Sequence, residues 1–344
     1  MIEIRKIEKE ELLGDLFETY KQHAIIDHAG LYPESPPLTD VMVRERLMNN
    51  DYDINRYFAI CDGQMIGHMR TYRVSPSNPA YEQNKYRVGL FGFVLPAHRN
   101  KGLGSKLAKI VLGELDSALV GTLRTYAYDD SGVRFATRLG GQMVNKDSLR
   151  KLEIGNVDWN LVESWKNINF PPNKKPIMEF HKDVDKKLVD EIFELSFAIS
   201  VEISELDNNE FVTTRESEEH DWKEMLEYWE KIGFKHDCFT LKDNTGSIIG
   251  YTMCMFNPDD PEVVGQAMTS VWKHLRGNGY GKFLKALMLE NIRNNHPQIK
   301  RIETQNNDLN DPMVYINEKL GFVVKSHWYS YKIDYNQAMA KLKG

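Results

Sequence analysis

The sequence predicts an α/β protein built from two tandem copies of one domain, and three observations carry that prediction. Its 344 residues exceed what one ordinary core accommodates. Two stretches, Arg99-Asn100-Lys101-Gly102-Leu103-Gly104 and Arg276-Gly277-Asn278-Gly279-Tyr280-Gly281, share the pattern R-x-x-G-x-G, each between an apolar run and a helix start. Landmarks also recur at near-constant spacing. Ile2 and Ile177 open strands 175 residues apart, the two arginines stand 177 apart, and Gly140 and Gly321 stand 181 apart. The expected layout is a first domain at 1–165, a polar linker with three prolines at 166–176, and a second domain at 177–344.

Bulk properties narrow the function classes. With 41% hydrophobic and 27% charged residues the chain has a soluble globular composition. A net charge of −6 argues against a general nucleic-acid binder. No window approaches 18 uninterrupted apolar residues, and Met1 to Lys6 has no apolar signal core. Cys61, Cys238 and Cys254 are odd in number and show no metal spacing. The expectation is a cytoplasmic protein with reduced, buried or half-buried thiols, no metal, and no membrane or nucleic-acid partner.

Taken in order, Ile2 to Arg5 alternates as a strand does, and Glu10 to His23 carries Leu12, Leu13, Leu16, Phe17 and Tyr20 on one helical face. A second helix holds Val41, Val43, Leu47 and Met48. Arg56 to Arg70 reads as a hairpin turning at Asp62-Gly63. A strand from about Tyr86 to Leu95 runs into the first R-x-x-G-x-G turn, and the following helix carries Leu103, Leu107, Ile110, Val111 and Leu115. A strand at 122–128 and a short helix ending at Leu139-Gly140-Gly141 close the first half. The second half repeats this: a strand at 177–180, a helix at 184–199, an irregular acidic stretch at 201–220, a helix at 222–232, and a hairpin at 238–253. A strand at 268–272, the second turn, a strand at 301–305 and a helix from Asp311 to Leu320 complete it.

A strand, a glycine-rich turn and a helix start make an anion site. The first N–H groups of a helix lack intrahelical partners, and the dipole adds about half a positive charge there. Neither the dinucleotide fingerprint nor the nucleotide P-loop fits, because Leu284 stands where the third glycine would be and Phe283 follows Lys282. The second half also carries Asn306-Asn307-Asp308-Leu309-Asn310-Asp311-Pro312-Met313, continuing to Asn317 and Leu320-Gly321-Phe322.

With these residues in view, each half resembles a GNAT-superfamily acyltransferase domain. The pair covers nearly the whole chain, in a tandem architecture similar to the mycothiol-synthase family. The resemblance implies a mixed sheet of six or seven strands with helices on both faces, splayed between its fourth and fifth strands. It implies acetyl-CoA as acyl donor. Its pyrophosphate would lie on Arg276, Gly277, Asn278, Gly279, Tyr280, Gly281 and Lys282, and its pantetheine along Val271 and Lys273. Asn306 and Asn310 would hold it from across the splay. Corresponding first-half positions are Val94, Arg99, Asn100, Lys101, Gly102, Leu103 and Gly104. An amine, of a small molecule or a peptide, would attack the thioester directly in the second domain, in a monomer or homodimer. The family often places a Tyr four residues before the closing Gly; Asn317 stands there, and Ala136 in the first half. Asn317 and Glu303 are therefore the catalytic candidates. Asp129 stands where Asn310 does, and a carboxylate there would repel phosphate. The missing Tyr also motivates an alternative, a non-catalytic acyl-CoA-binding or regulatory protein.

Overall fold

The computed structural model describes residues 1–206 and 211–343. Asp207 and Glu210 of the acidic stretch lie outside the described residues. In chain order the elements are β1 (Ile2–Lys6), α1 (Lys9–Leu13), α2 (Phe17–Leu31), α3 (Asp40–Met48), β2 (Tyr52–Cys61), β3 (Gln64–Val74), α4 (Tyr81–Asn84), β4 (Arg87–Val94), α5 (Leu103–Gly113), β5 (Thr122–Ala127), α6 (Asp130–Arg138) and β6 (Gln142–Glu153). They continue with α7 (Trp159–Lys166), β7 (Ile177–Lys182), α8 (Lys186–Leu206), α9 (Arg215–Ile232), β8 (Lys235–Lys242), β9 (Ile248–Phe256), β10 (Val263–Val271), α10 (Tyr280–Asn295), β11 (Arg301–Asn307), α11 (Asp311–Lys319), β12 (Val323–Asp334) and α12 (Tyr335–Lys343).

The elements form two compact units, and these are not the two halves of the sequence. The first comprises Met1–Lys146, Asp207–Ser217 and Trp328–Gly344, the second Asp147–Leu206 and Glu218–His327. This differs from a single break at 166–176, and the reason is sheet edges. β5 and β11 would each leave a row of unpaired backbone groups. In the first unit the β12 residues Tyr329 to Asp334 pair antiparallel with β5. In the second unit the β6 residues Asp147 to Glu153 pair antiparallel with β11. Each sheet is completed by a strand encoded in the other half of the chain.

Within the first unit the strand order is β1-β2-β3-β4-β5-β12; within the second it is β6-β11-β10-β9-β8-β7. Each sheet is antiparallel except at one point. β4 and β5 run parallel and pair only from Arg87 to Gly89, and β10 and β11 only from Val263 to Gly265. Beyond these three-residue zips the strands diverge, giving the splayed mixed sheet that the resemblance implies.

Local chemistry explains most elements. The β2–β3 hairpin turns through Asp62 and Gly63, both at positive φ, as a type I′ turn needs. The expected helix at 10–23 is broken at Gly14, which ends α1. Both described ends of the acidic stretch, expected as irregular, are helical, since α8 runs on to Leu206 and α9 starts at Arg215. Residues 211–217 belong to the first unit, where Asn84 clasps the Val212 backbone: its Nδ2 donates to the carbonyl at 3.0 Å and its Oδ1 accepts from the N–H at 2.8 Å.

The first core lies between the sheet and α5, with Leu107, Val111, Leu123, Leu139, Ile333, Tyr335 and Ala338 buried together. The opposite face holds a buried histidine pair under α2. His23 Nδ1 donates to the Met65 carbonyl at 3.1 Å, so its Nε2 accepts from His68 Nδ1 at 2.9 Å. Burial lowers His23 to about 4 and His68 well below its ordinary value, so both are neutral. In the second unit α7 and α10 cover one sheet face, and α8 and α9 the other. Cys61 is half-buried and Cys238 and Cys254 are buried, all as free thiols. Among the described residues no helix is long and apolar enough to cross a membrane.

The exchanged strand makes a test. A chain ending at His327 lacks the Trp328–Asp334 part of β12 and all of α12, including buried Ile333, Tyr335 and Ala338. Burial of a single large side chain contributes about 1.5–3 kcal/mol against a typical stability of about 5–15 kcal/mol. Limited proteolysis with mass spectrometry should show residues 1–146 becoming cleavable in the truncated chain. Unchanged protection of 1–146 would mean the strand is dispensable.

Candidate functional site

The two R-x-x-G-x-G turns have the same backbone but different surroundings. In each, the arginine folds back onto the strand it follows. Arg99 Nε donates to the Val94 carbonyl at 2.8 Å, and Arg276 Nε to the Val271 carbonyl at 3.1 Å. The motif arginine thus ties the turn to the strand end. Gly102 (φ +79°) and Gly279 (φ +93°) are the N-cap residues of α5 and α10, in the left-handed region that favours glycine. By helix geometry the N–H groups of Leu103, Gly104 and Ser105, and of Tyr280, Gly281 and Lys282, have no intrahelical acceptor.

In the first unit the turn opens onto a cavity of about 270 Å³. Its walls are Gly92 to Val94 of β4, Arg99, Asn100 and Gly102 to Ser105 around the turn, and Thr125 to Asp129 across the splay. A Cβ built on Gly102 would meet nothing within 4 Å. Asp129 is neutralised rather than free: its Oδ1 caps α6 at the Gly132 N–H (2.8 Å), and its Oδ2 accepts from Arg99 at 2.7 Å. Lys101 Nζ donates to the Ala97 carbonyl.

Tyr128, at the end of β5, lines this cavity, and its O–H donates to Asp27 of α2 at 3.3 Å. Burial raises the Asp27 carboxyl above its ordinary value, opposed by the charges of Arg70, Arg46 and Arg99. Burial, and then the Asp27 charge, push the Tyr128 phenol well above its ordinary value, so it holds its proton at neutral pH. The sequence reading missed this pair. Tyr128 stood at a strand end with no motif, and Asp27 lay in a helix whose buried face gave no chemical signal.

In the second unit the turn is covered. A Cβ on Gly279 would meet Ile168 at 3.1 Å and Phe170 at 3.9 Å. Phe170 stacks on Tyr280 at 5.1 Å, Tyr280 O–H donates to the Lys174 carbonyl at 2.6 Å, and Lys174 Nζ donates to Asn278 Oδ1 at 3.0 Å. These partners belong to the 166–176 segment, which lies on the turn instead of spanning free between units. Arg276 pairs with Glu202 at 2.7 Å, and Lys282 lies over Trp165 and Tyr315. Lys273 sits in a short 3-10 turn beyond β10.

The remaining candidates are engaged within the fold. Glu303 Oε1 accepts from Lys325 at 2.8 Å and pairs with Arg301 at 2.9 Å, an arrangement that occupies the carboxylate. Asn317 is fully buried and donates to Asn306 Oδ1 at 2.6 Å, tying α11 to β11. Asn310 caps α11 at the Met313 N–H. The loop between them is pinned by β6: Ser148 Oγ donates to Asp308 at 2.6 Å, and buried Arg150 donates to the same oxygen at 3.1 Å.

At the second splay, polar side chains fill the gap. Lys285, 2% exposed, donates to Gln266 Oε1 at 2.6 Å, and Thr304 Oγ1 donates to the Gln266 carbonyl. Burial lowers Lys285 to about 7. Between that value and the ordinary 10.5 the unfolded chain binds more protons, so stability rises with pH there; below about 7 the penalty is fully present. Thermal melts from pH 7 to 9.5 should show a rising midpoint that Lys285→Met flattens. Identical slopes for both proteins would exclude a charge-linked Lys285.

Comparisons with known proteins agree with this architecture. Residues 201–322 match the acetyltransferase (GNAT) family. Among solved structures, a tandem GNAT protein from the clavulanic acid biosynthesis pathway is 18% identical, with a TM-score of 0.70, covering 97% of this chain and 99% of its own. A GCN5-related N-acetyltransferase from Sphaerobacter thermophilus is 14% identical, with a TM-score of 0.58, covering 97% and 96%. Among curated proteins none matches the chain.

Proposed function

We propose, from the match of residues 201–322 to the GNAT acetyltransferase family and the tandem GNAT fold of the chain, an acetyl-CoA-dependent N-acyltransferase whose coenzyme site lies in the first unit. Acyl transfer is the chemistry of the family; the acetyl donor, the amine acceptor and the choice of unit are our reading. The observation that carries it is the cavity over the Arg99 to Gly104 turn, set against the Ile168, Phe170 and Lys174 cover on Arg276 to Gly281. The sequence reading favoured the second unit, where the motif is fuller.

The residues fit the coenzyme. Open space above Gly102 and the unengaged N–H groups of Leu103 to Ser105 suit a diphosphate. The unpaired β4 edge from Leu90 to Val94 offers backbone groups to the pantetheine amides, as an added strand would use them. In the reaction an amine nitrogen bonds to the thioester carbon, the carbon–sulfur bond breaks, and the amide and free thiol leave. The sulfur needs a proton, and our reading takes it from the Tyr128 O–H on the cavity wall. The attacking amine must shed one, and our reading gives that proton to the Asp27 carboxylate, which lies behind Tyr128 and is made more basic by burial.

The family match at 201–322 favours a second reading, with the coenzyme on the second turn. Calorimetry with acetyl-CoA separates the two. Gly102 and Gly279 share left-handed backbones, so Gly102→Glu and Gly279→Glu carry similar backbone strain, to which Gly279→Glu adds a tight contact with Ile168. Gly102→Glu should weaken binding at least tenfold and Gly279→Glu less than threefold; the reverse order would move the site to the second unit. Thiol release with an amine panel should exceed background, whereas a non-catalytic acyl-CoA sensor gives none.

A further inference from the structure

The same face of the first unit carries a second feature that the reaction as described does not use. Arg56 on β2 and Arg70 on β3 are directly opposite in the antiparallel register. Like charges so placed destabilise a sheet. Arg56 is only 7% exposed, and its Nε is buried without a hydrogen-bond partner. Tyr20, Glu8 and Glu10 favour its charge only at longer range, while burial and Arg70 oppose it. The neighbouring histidines are buried and neutral, so they add no further positive charge and offer no negative one. The carboxylate that faces Arg70 is Asp27, which also faces Arg46 and accepts from Tyr128.

Aromatic contacts lead from Arg70 to the cavity wall. Arg70 pairs across β3 and β4 with Phe91 and lies over its ring at 5.9 Å. Phe91 stacks on Tyr126 at 5.5 Å and on Tyr72 at 5.1 Å, and Tyr126 lines the cavity beside Tyr128. A largely buried guanidinium whose Nε has no hydrogen-bond partner, set against another cation, is costly unless an anion joins it. We infer that Arg56 and Arg70 form an oxyanion subsite of the first unit, so that the acceptor is an amine bearing a carboxylate or phosphate group, with its amine toward Tyr128 and Asp27. The acceptor clause rests on the acyltransferase reading above; the anion subsite does not.

The experiment has two arms on the full chain. In the first, melting is followed with N-acetylglycine, inorganic phosphate or neutral N-methylacetamide. The anions should raise the wild-type midpoint and the neutral amide should not. The shift should vanish in Arg70→Gln and return in part in Arg70→Lys. Arg56→Met should raise the ligand-free midpoint, since it removes an uncompensated charge, while abolishing the anion shift. Equal shifts in wild type and Arg70→Gln, or none in wild type, overturn the subsite. In the second arm, thiol release from acetyl-CoA compares glycine and aminomethylphosphonate with methylamine. Preference for either anionic amine by at least tenfold, lost in Arg70→Gln, supports the acceptor clause, and the preferred anion identifies the group. Equal rates overturn that clause. No release from any amine counts against the acyltransferase reading, and the first arm still decides the subsite.

Discussion

A parallel strand pair that separates after three residues leaves two rows of backbone N–H and C=O groups facing a gap, and much of this structure follows from what fills it. Each unpaired group in a buried setting costs free energy unless something meets it. The zip between β4 and β5 stops at Gly89, and that between β10 and β11 at Gly265. The turn at the end of β4 or β10 is tied back by its arginine to the last strand carbonyl, Val94 or Val271. That tie aims the helix N-terminus along the gap. The outer flank of each diverging strand is closed by an antiparallel strand from the other half of the sequence.

The two units meet this constraint differently. In the second, Gln266 sits one residue past the zip, with Lys285 on its side-chain oxygen and Thr304 on its carbonyl. The linker residues Ile168, Phe170 and Lys174 then lie on the turn itself. In the first, a cavity remains between Gly92 to Val94 and Thr125 to Asp129. A buried lysine at about 7 and a buried, partnerless arginine Nε are opposite outcomes of the same expense. Lys285 gives up charge and settles on a protein acceptor. An arginine cannot lose its proton near neutrality, so Arg56 keeps its charge and lacks one.

Much of the fold was legible because it is local. The Asp62-Gly63 turn, the heptad-like run from Leu103 to Leu115 and the repeated turn are short-range signals with one physical reading each. The exchange of β6 and β12 was not legible, because edge pairing is a long-range choice among strands of similar pattern; nothing in Trp328 to Asp334 says which edge it joins. The site was legible only as a turn. Glu303 and Asn317 were chosen by position in a pattern, but their partners Lys325, Arg301 and Asn306 come from tertiary packing. Tyr128 and Asp27 stand 101 residues apart in sequence and 3.3 Å apart in space. The Arg56–Arg70 pair was hidden likewise, since its cost exists only in register.

The fuller motif lies where the turn is covered, and this has a physical explanation. R-x-x-G-x-G encodes a backbone: an arginine long enough to reach the strand carbonyl and a glycine at positive φ before the helix. Both demands hold whether or not a ligand sits on the helix end, as the matched geometry of Gly102 and Gly279 shows. The Asn-rich element behaves the same way, for Asn306, Asn310 and Asn317 all bond within the second unit. A sequence pattern therefore reports the turn's shape, and its surroundings report whether the turn is free to bind. In the degenerate copy, where Asp129 caps α6 and steadies Arg99, the turn opens onto a cavity.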